Sequence, residues 1–523
     1  MYIGIDLGTT HCCISYRDPD TRVLNVIDNP QKSGYSIRSV VSFKEDEIQY
    51  NLDAVKAIKN RPECVLYDSK RFIGRTFDNV RDNFNLEKMN FTLENVNNKP
   101  SYSVHFKGAK RFLSPEELSA LILLYSKSLV EDQFDYIEGC VITVPAHFTN
   151  IEREATLFAA ELAGLKVLQL LNEPSAAAIS YGFEKGLEGY ILVFDFGGGT
   201  LDVSIVEIYN NKFDVVGYDG DQILGGRDID NAMLEYCIEY FEKNFNVTYK
   251  SFKQRADLLV KCENAKIMLT EPNRNSVIIY DWNSKYSLCL THAKFNELCL
   301  PFFTRSIEIL KRFLDRVKIE KSNIHEIVMT GGTSKISLIQ EMVENFFARK
   351  PYIHDPETAI AKGAAIVACD YEKRDMNFSL FDQVRYSIGI AIVNKEVHDD
   401  SKWFSKIIER GSRIPCAETR RYFTIEDDQK GMSIEVAEGE SEYFNGNSFI
   451  DQFVLDDLPP NKAGNVFVDV TINIDQSGVL LVTAKEASTS VSKTKEMRRE
   501  GNYYKQNERD IIKTSFLSLS LLI

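Results

Sequence analysis

Up to about residue 370 the chain alternates short apolar runs with longer stretches in which apolar positions recur every three or four residues. That alternation predicts strands interleaved with helices, an α/β architecture. The segment SPEELSALILLYSKSLV carries its own helix signals. Ser114 and Glu117 form a capping box, Pro115 takes the first helical position, and Leu118, Leu121, Ile122, Tyr125 and Leu129 share one face. GCVITVPAHF reads as a buried strand, IEREATLFAAELAGL as a helix ending near Gly164, and KVLQLLNEPSAAAISYG as a strand followed by an Ala-rich helix. From about residue 384 to 495 the period becomes two. Val466, Val468, Val470, Ile472 and Ile474 alternate with Phe467, Asp469, Thr471 and Asn473 before the turn DQSG, which predicts a half-buried hairpin in an antiparallel β region.

Within the first part, two glycine turns repeat one pattern. In YIGIDLGTTHCCISY and VFDFGGGTLDV an apolar strand runs into an aspartate, an apolar residue, glycine and threonine, and then a second apolar strand. Asp6, Leu7, Gly8 and Thr9 fall on Asp195, Phe196, Gly197 and Gly198, with Thr10 and Thr200 close behind. Glycine inside a strand costs entropy and packs nothing, so three together mark a place where backbone approaches another object closely. Tight turns with inward N–H groups make concave anion sites, and a carboxylate before each turn suits a hydrated magnesium ion. The alternative is two unrelated Gly-rich hairpins. Glu173, at the end of its strand, is a candidate for the same phosphate site or simply a carboxylate favoured at a helix N-terminus. A third turn in EIVMTGGTSKI, at Gly331 and Gly332, leaves side-chain-free backbone that a flat ring can approach.

Composition narrows the partners. A chain of 523 residues with 44% hydrophobic residues has room for more than one domain and sizeable cores. Its formal net charge of -14 argues against nucleic acid or an anionic membrane as partner. The ten cysteines include no C-x-x-C pair, and Cys12 and Cys13 sit in an expected strand, so reduced, mostly buried thiols and a cytoplasmic location are expected. A strand beginning at Tyr2 leaves no room for a signal peptide, and no window reaches the roughly 20 apolar residues of a membrane helix.

Taken together, IDLGTTH, DSKRFIGR, VITVPAHF, LNEPSAAAISYG, FDFGGGTLDVS, LGGRDID, CENAK and VMTGGTSKI closely resemble, in order and spacing, the DnaK-type seventy-kilodalton heat-shock chaperone family. The resemblance implies an actin-like, duplicated ATPase domain over 1–371, a linker over 372–384, a β-sandwich substrate domain over 385–497 and a short tail or lid remnant over 498–523, the helical lid being largely missing. It implies ATP or ADP and Mg2+ as cofactors. Asp6, Gly8, Thr9 and Thr10 would form the first phosphate loop, and Asp195, Gly197, Gly198, Gly199 and Thr200 the second. Lys70 would orient the attacking water, Glu173 and Asp195 would position water and hydrated magnesium, Asp6 and Asp202 would complete the metal's outer shell, and Thr200 would meet the terminal phosphate. On the nucleoside side, Glu263 and Lys266 would hold the ribose, Thr270 would lie near the base, and Gly331, Gly332 and Lys335 would face the adenosine.

The sequence departs from the family in places. Ile267 and Lys335 stand where two arginines sandwich adenine, which implies weaker ATP binding. His11 replaces a common tyrosine, Arg227 a common acidic residue, and Gln169 an arginine that engages J-domain partners. In the linker only Leu380 and Asp382 keep the family's leucine and aspartate pattern, with Phe378 and Phe381 as apolar stand-ins. NKEVHDDSKWFSKI is longer and more charged than the loop that arches over bound peptide. Two readings follow. One is an ATP-hydrolysing chaperone for unfolded or nascent polypeptides, served by a J-domain co-chaperone and an exchange factor. The other is a lid-less regulatory relative partnering a J-protein at the ribosome.

Overall fold

The computed structural model describes residues 1–18, 20–32, 34–373, 378–393, 402–475, 478–489, 491–497 and 506–520. One unit is made of Met1–Phe213, Tyr218–Phe378 and Ser515–Ile523, and a second of Asp214–Gly217 and Ser379–Thr514.

The first unit contains the same strand arrangement twice. In one sheet, Tyr2–Leu7 pairs antiparallel with His11–Arg17 and parallel with Gly139–Val144, which in turn pairs with Val167–Asn172. In the other, Gly189–Phe196 pairs antiparallel with Leu201–Tyr209 and parallel with Ile324–Thr330. The register is equivalent: Asp6 faces Thr143 across its parallel pair, and Asp195 faces Thr330 across the other. Ile3, Ile5, Val141, Ile142, Leu192, Val193 and Val328 are all buried, as parallel strands covered on both faces require.

Helices follow their sequence signals. Pro115–Glu131 begins at a complete Ser114 and Glu117 capping box, and Asn150–Leu162 at a second one formed by Thr149 and Glu152. Gly164, at φ +67°, ends the latter in the left-handed conformation open to glycine. The helix Glu173–Lys185 starts where its strand stops, so Glu173 occupies both the strand end and the helix start. At the other end of the chain Gln506–Ser520 is helical, and its Phe516 and Leu519 are buried in the core that contains Ile5 and Leu121.

The second unit has two four-stranded antiparallel sheets. One runs Trp403–Ile408, Ile388–Ile392, Met432–Glu438, Ser448–Leu455, and the other Cys416–Phe423, Phe467–Ile474, Leu480–Glu486, Ser492–Met497. The period-two pattern sorts as expected: Val466, Val468, Val470, Ile472 and Ile474 are buried in a core shared with Ile390, Ile434 and Val436, while Phe467 is 41% exposed. Within this unit Phe404, Ala437 and Phe444 form a separate small apolar cluster, flanked by Ala391 and Phe449. The expected linker overlaps the strand Ser379–Gln383, and parts of it and of the charged loop, 374–377 and 394–401, lie outside the described residues.

Candidate functional site

Both glycine turns line one cleft of about 320 Å³ in the first unit. That volume falls in the roughly 300–1,000 Å³ range of small-molecule sites. The two turns face each other at contact distance. A Cβ built on Gly198 would lie 2.4 Å from Thr10 Oγ1, and one on Gly199 2.5 Å from Thr9 Oγ1. A side chain at either would push the turns apart, which explains Gly198 and Gly199, whereas a Cβ on Gly197 would make only ordinary contact, 3.7 Å from Thr200 O.

Neighbouring donors orient the second turn. Gly197 O accepts from Gly226 N at 3.0 Å and from Thr333 Oγ1 at 2.8 Å, Gly198 O accepts from Arg227 N at 2.8 Å, and Gly199 O accepts from Arg71 Nη2 at 3.0 Å. In a trans peptide the N–H points opposite to the carbonyl. The N–H groups of Gly198, Gly199 and Thr200 are therefore turned away from those donors, as an anion cradle needs. The first turn is tied down similarly, with Ser39 donating its N–H to Thr10 O at 3.0 Å and its hydroxyl to Gly8 O at 2.8 Å.

Behind the turns lies a buried cluster of charge. Lys70, in the short helix Ser69–Phe72, donates to Glu173 Oε1, and both side chains are less than a tenth exposed. Arg71 beside it is equally buried and pairs with Asp228 at 2.7 Å, so the two cations are not a solvated pair. Asp195 sits directly across the strand pair from Asp202. Asp202 accepts from Ala146 N at 3.0 Å and His147 Nδ1 at 2.9 Å, and stands in the wall behind the cleft instead of lining it. Asp6 accepts from Thr143 Oγ1 at 3.2 Å.

Four carboxylates, those of Asp6, Glu173, Asp195 and Asp202, thus surround one lysine. Burial pushes the carboxyls of Asp6 and Asp195 up, the latter strongly because Glu173 and Asp202 add to the effect, and it pushes Glu173 up to about 7. Burial also opposes the charge on Lys70, but Glu173 and Asp6 outweigh it and raise the ammonium's pKa. Asp195 Oδ1 and Asp202 Oδ2 are buried with no hydrogen-bond partner among the described residues. The cluster is short of positive charge and of donors, which a hydrated divalent cation would supply. Among the described residues no three His, Cys, Asp or Glu side chains are grouped to hold a metal ion directly.

Also lining the cleft, Glu263 projects from the helix Phe252–Leu269 and accepts from Arg38. Lys266, one turn on, binds Asp230 at 2.8 Å and Gly226 O at 2.9 Å. Thr270, Gly331, Gly332 and Lys335 line the same cleft. Gly331 has φ +82°, and a Cβ on it would lie 2.4 Å from Phe196 O, whereas Gly332 has open space beside it. Ile267 is 48% exposed and Lys335 is engaged by Glu357. His11 bonds Thr10 Oγ1 at 3.1 Å, and burial with the nearby Arg38 charge holds its ring neutral, its pKa lowered to about 3.

Arg38, Arg71, Ser39 and Thr333 join this site without any signal in local spacing. Among the described residues no helix is long and apolar enough to cross a membrane.

The Hsp70 protein family model matches residues 2–516. The chain is similar to a heat shock cognate HSP70 protein of Trypanosoma brucei brucei, 35% identical over 94% of this chain and 74% of that one. It is also similar to a chaperone protein HscA homolog of Haemophilus influenzae (strain PittEE), 34% identical over 99% of this chain and 80% of the relative. A third relative, heat shock 70 kDa protein 2 of Paracoccidioides lutzii, is 33% identical over 93% and 75% respectively.

Proposed function

Since the chain belongs to the Hsp70 family, we propose that it is an ATP-dependent chaperone that binds ATP with Mg2+ between its two glycine turns, hydrolyses it, and uses that cycle to regulate binding of extended apolar segments of unfolded or nascent polypeptides. The observation that carries the reading is the pair of glycine turns in contact, backed by a buried carboxylate cluster with a single lysine. A polyphosphate lying between the turns would meet backbone N–H groups from both.

In this reading Gly8, Thr9, Thr10 and Gly197, Gly198, Gly199 cradle the phosphates, with the Thr200 hydroxyl at the terminal one. Asp6 and Asp195 would hold magnesium through water, with Asp202 adding its charge from the wall behind the cleft, and magnesium when bound would neutralise charge on the phosphoryl oxygens. Lys70, held by Glu173, orients the attacking water, and no covalent intermediate is formed. Such a site works by positioning and charge stabilisation. Glu263 and Lys266 hold the ribose, while Thr270, Gly331, Gly332 and Lys335 border the base. Loss of stacking at Ile267 and Lys335 weakens adenine binding.

The β-sandwich supplies the peptide site, supported by its satellite apolar cluster around Phe404 and Phe444 and by the half-buried Trp403 and exposed Tyr443 rings, 5.1 Å apart. Extended peptides bind such domains by backbone hydrogen bonds and a small apolar pocket. A J-domain co-chaperone and an exchange factor would time the cycle in the cytoplasm.

The test is phosphate release from ATP by the purified chain with Mg2+, with EDTA, and in Lys70→Ala. Mg2+-dependent turnover that falls at least about a hundredfold in the variant, with ATP still bound, supports the reading. Absence of ATP binding by the wild-type chain overturns it.

A further inference from the structure

Arg38 occupies a two-residue strand, Ile37–Arg38, that pairs with His11 and Cys12. Its backbone is pinned on both sides. Asn51 Oδ1 accepts its N–H at 3.0 Å, and the next residue, Ser39, is bonded to both Gly8 O and Thr10 O of the first glycine turn. From this anchor the side chain reaches Glu263, 225 residues away in sequence, and donates through Nη1 to Oε1. The two side chains are only 12% and 13% exposed.

This buried pair is incomplete. Arg38 Nε is buried without a hydrogen-bond partner among the described residues. A carboxylate accepts up to about four hydrogen bonds, and Arg38 takes one at Oε1 of Glu263. The pair therefore sets spare donors beside spare acceptors, at the edge of a cleft both residues line. A phosphate cannot satisfy such a pair, because the carboxylate repels it. A hydroxyl can, since it donates to the carboxylate and accepts from the guanidinium at once.

We propose that Arg38 is a specificity-determining residue that makes the cleft selective for ribonucleotides, holding Glu263 so that the two together read the ribose hydroxyls. The inference rests on the proposed nucleotide site and deepens it. Glu263 stays ionised for this role: burial works against its charge, but Arg38, Arg227 and Lys266 outweigh burial and lower its pKa to about 2. With Ile267 and Lys335 unable to stack as arginines do, ribose contacts carry a larger share of the nucleoside's binding.

The experiment measures dissociation constants by calorimetry for ATP, 2′-deoxy-ATP and 3′-deoxy-ATP with the wild-type chain, Arg38→Ala, Arg38→Lys and Glu263→Gln. The wild type should bind at least one deoxy analogue about tenfold or more weakly than ATP, the scale of a charge-assisted hydrogen bond. Arg38→Ala should lose about tenfold in ATP affinity while its affinity for that analogue moves less than about threefold, and Arg38→Lys should recover part of the loss. Equal weakening of all three ligands in Arg38→Ala would make the residue merely structural and overturn the proposal. Wild-type protein that binds ATP but does not distinguish the analogues, with Glu263→Gln equally indifferent, would overturn the ribose role of Glu263 and this inference with it, leaving the phosphate site standing. Failure to bind any nucleotide would remove the site altogether.

Discussion

The Lys70 ammonium bonds the Glu173 carboxylate in a pair whose side chains are 7% and 6% exposed. An ion pair this deep is costly to break from one side, since the remaining charge is left uncompensated. Asp6 and Asp202 also favour the lysine's charge, against its burial. Glu173→Gln removes the carboxylate that fixes the ammonium's position and should loosen its orientation. Phosphate release in a single turnover is expected to slow about 10- to 100-fold, with ATP affinity changed by less than about threefold; equal losses in both would mean that Glu173 serves binding.

Contact between the glycine turns gives a steric prediction. Gly199→Ala places a methyl carbon where Thr9 Oγ1 and Cγ2 already stand, at 2.5 and 2.7 Å. Backbone on both sides would have to separate, and the N–H cradle with it. ATP affinity should fall at least about thirtyfold, measured by calorimetry, while the far-ultraviolet circular dichroism stays that of the wild type.

The second unit's core predicts a stability change separate from the cleft. Ile472 is fully buried between the sheets of the sandwich. Truncating it to Ala should cost about 2–5 kcal/mol. In urea the transition reported by the sandwich should move to lower concentration, with nucleotide affinity unchanged.

Glu117 offers a pH-dependent test away from the cleft. Burial pushes its carboxyl up from the ordinary 4.5 to about 7, although its capping bonds with Ser114 pull the other way. Between those values the folded chain holds a proton that the unfolded chain has released, so this group's contribution to stability falls as pH rises through the window. Glu117→Gln keeps an oxygen for the Ser114 N–H and removes the titration. The melting temperature of the variant relative to the wild type should rise from pH 5 to pH 7.5; a constant difference would contradict the assignment.

How much of this was legible in the chain varies with range. Ser114, Pro115 and Glu117 announce a helix start within four residues, and the alternation from Val466 to Ile474 fixes which side of its strand is buried, because both signals are local. The paired turns were readable because Asp195 and three glycines repeat an earlier pattern. Lys70 was readable only through family resemblance, for nothing near DSKRF predicts a partner at Glu173. Arg38 and Arg71 were not readable at all. Arg71 reaches Gly199 and Asp228, and Arg38 reaches Glu263, through contacts set by how distant segments close around the cleft.

In the proposed cycle, nucleotide held between the two turns governs peptide held by the sandwich. Its most direct test loads the full chain with a fluorescent extended apolar peptide and records the release rate with ATP and with ADP, in the wild type and in Lys70→Ala. A nucleotide that alters release must bind the two states of the protein with different affinity. Release is expected to be faster with ATP than with ADP in both proteins, as it must be where nucleotide binding alone changes the hold on the peptide. Release that ignores the nucleotide, or no peptide binding at all, would contradict it and favour a regulatory partner of a J-protein.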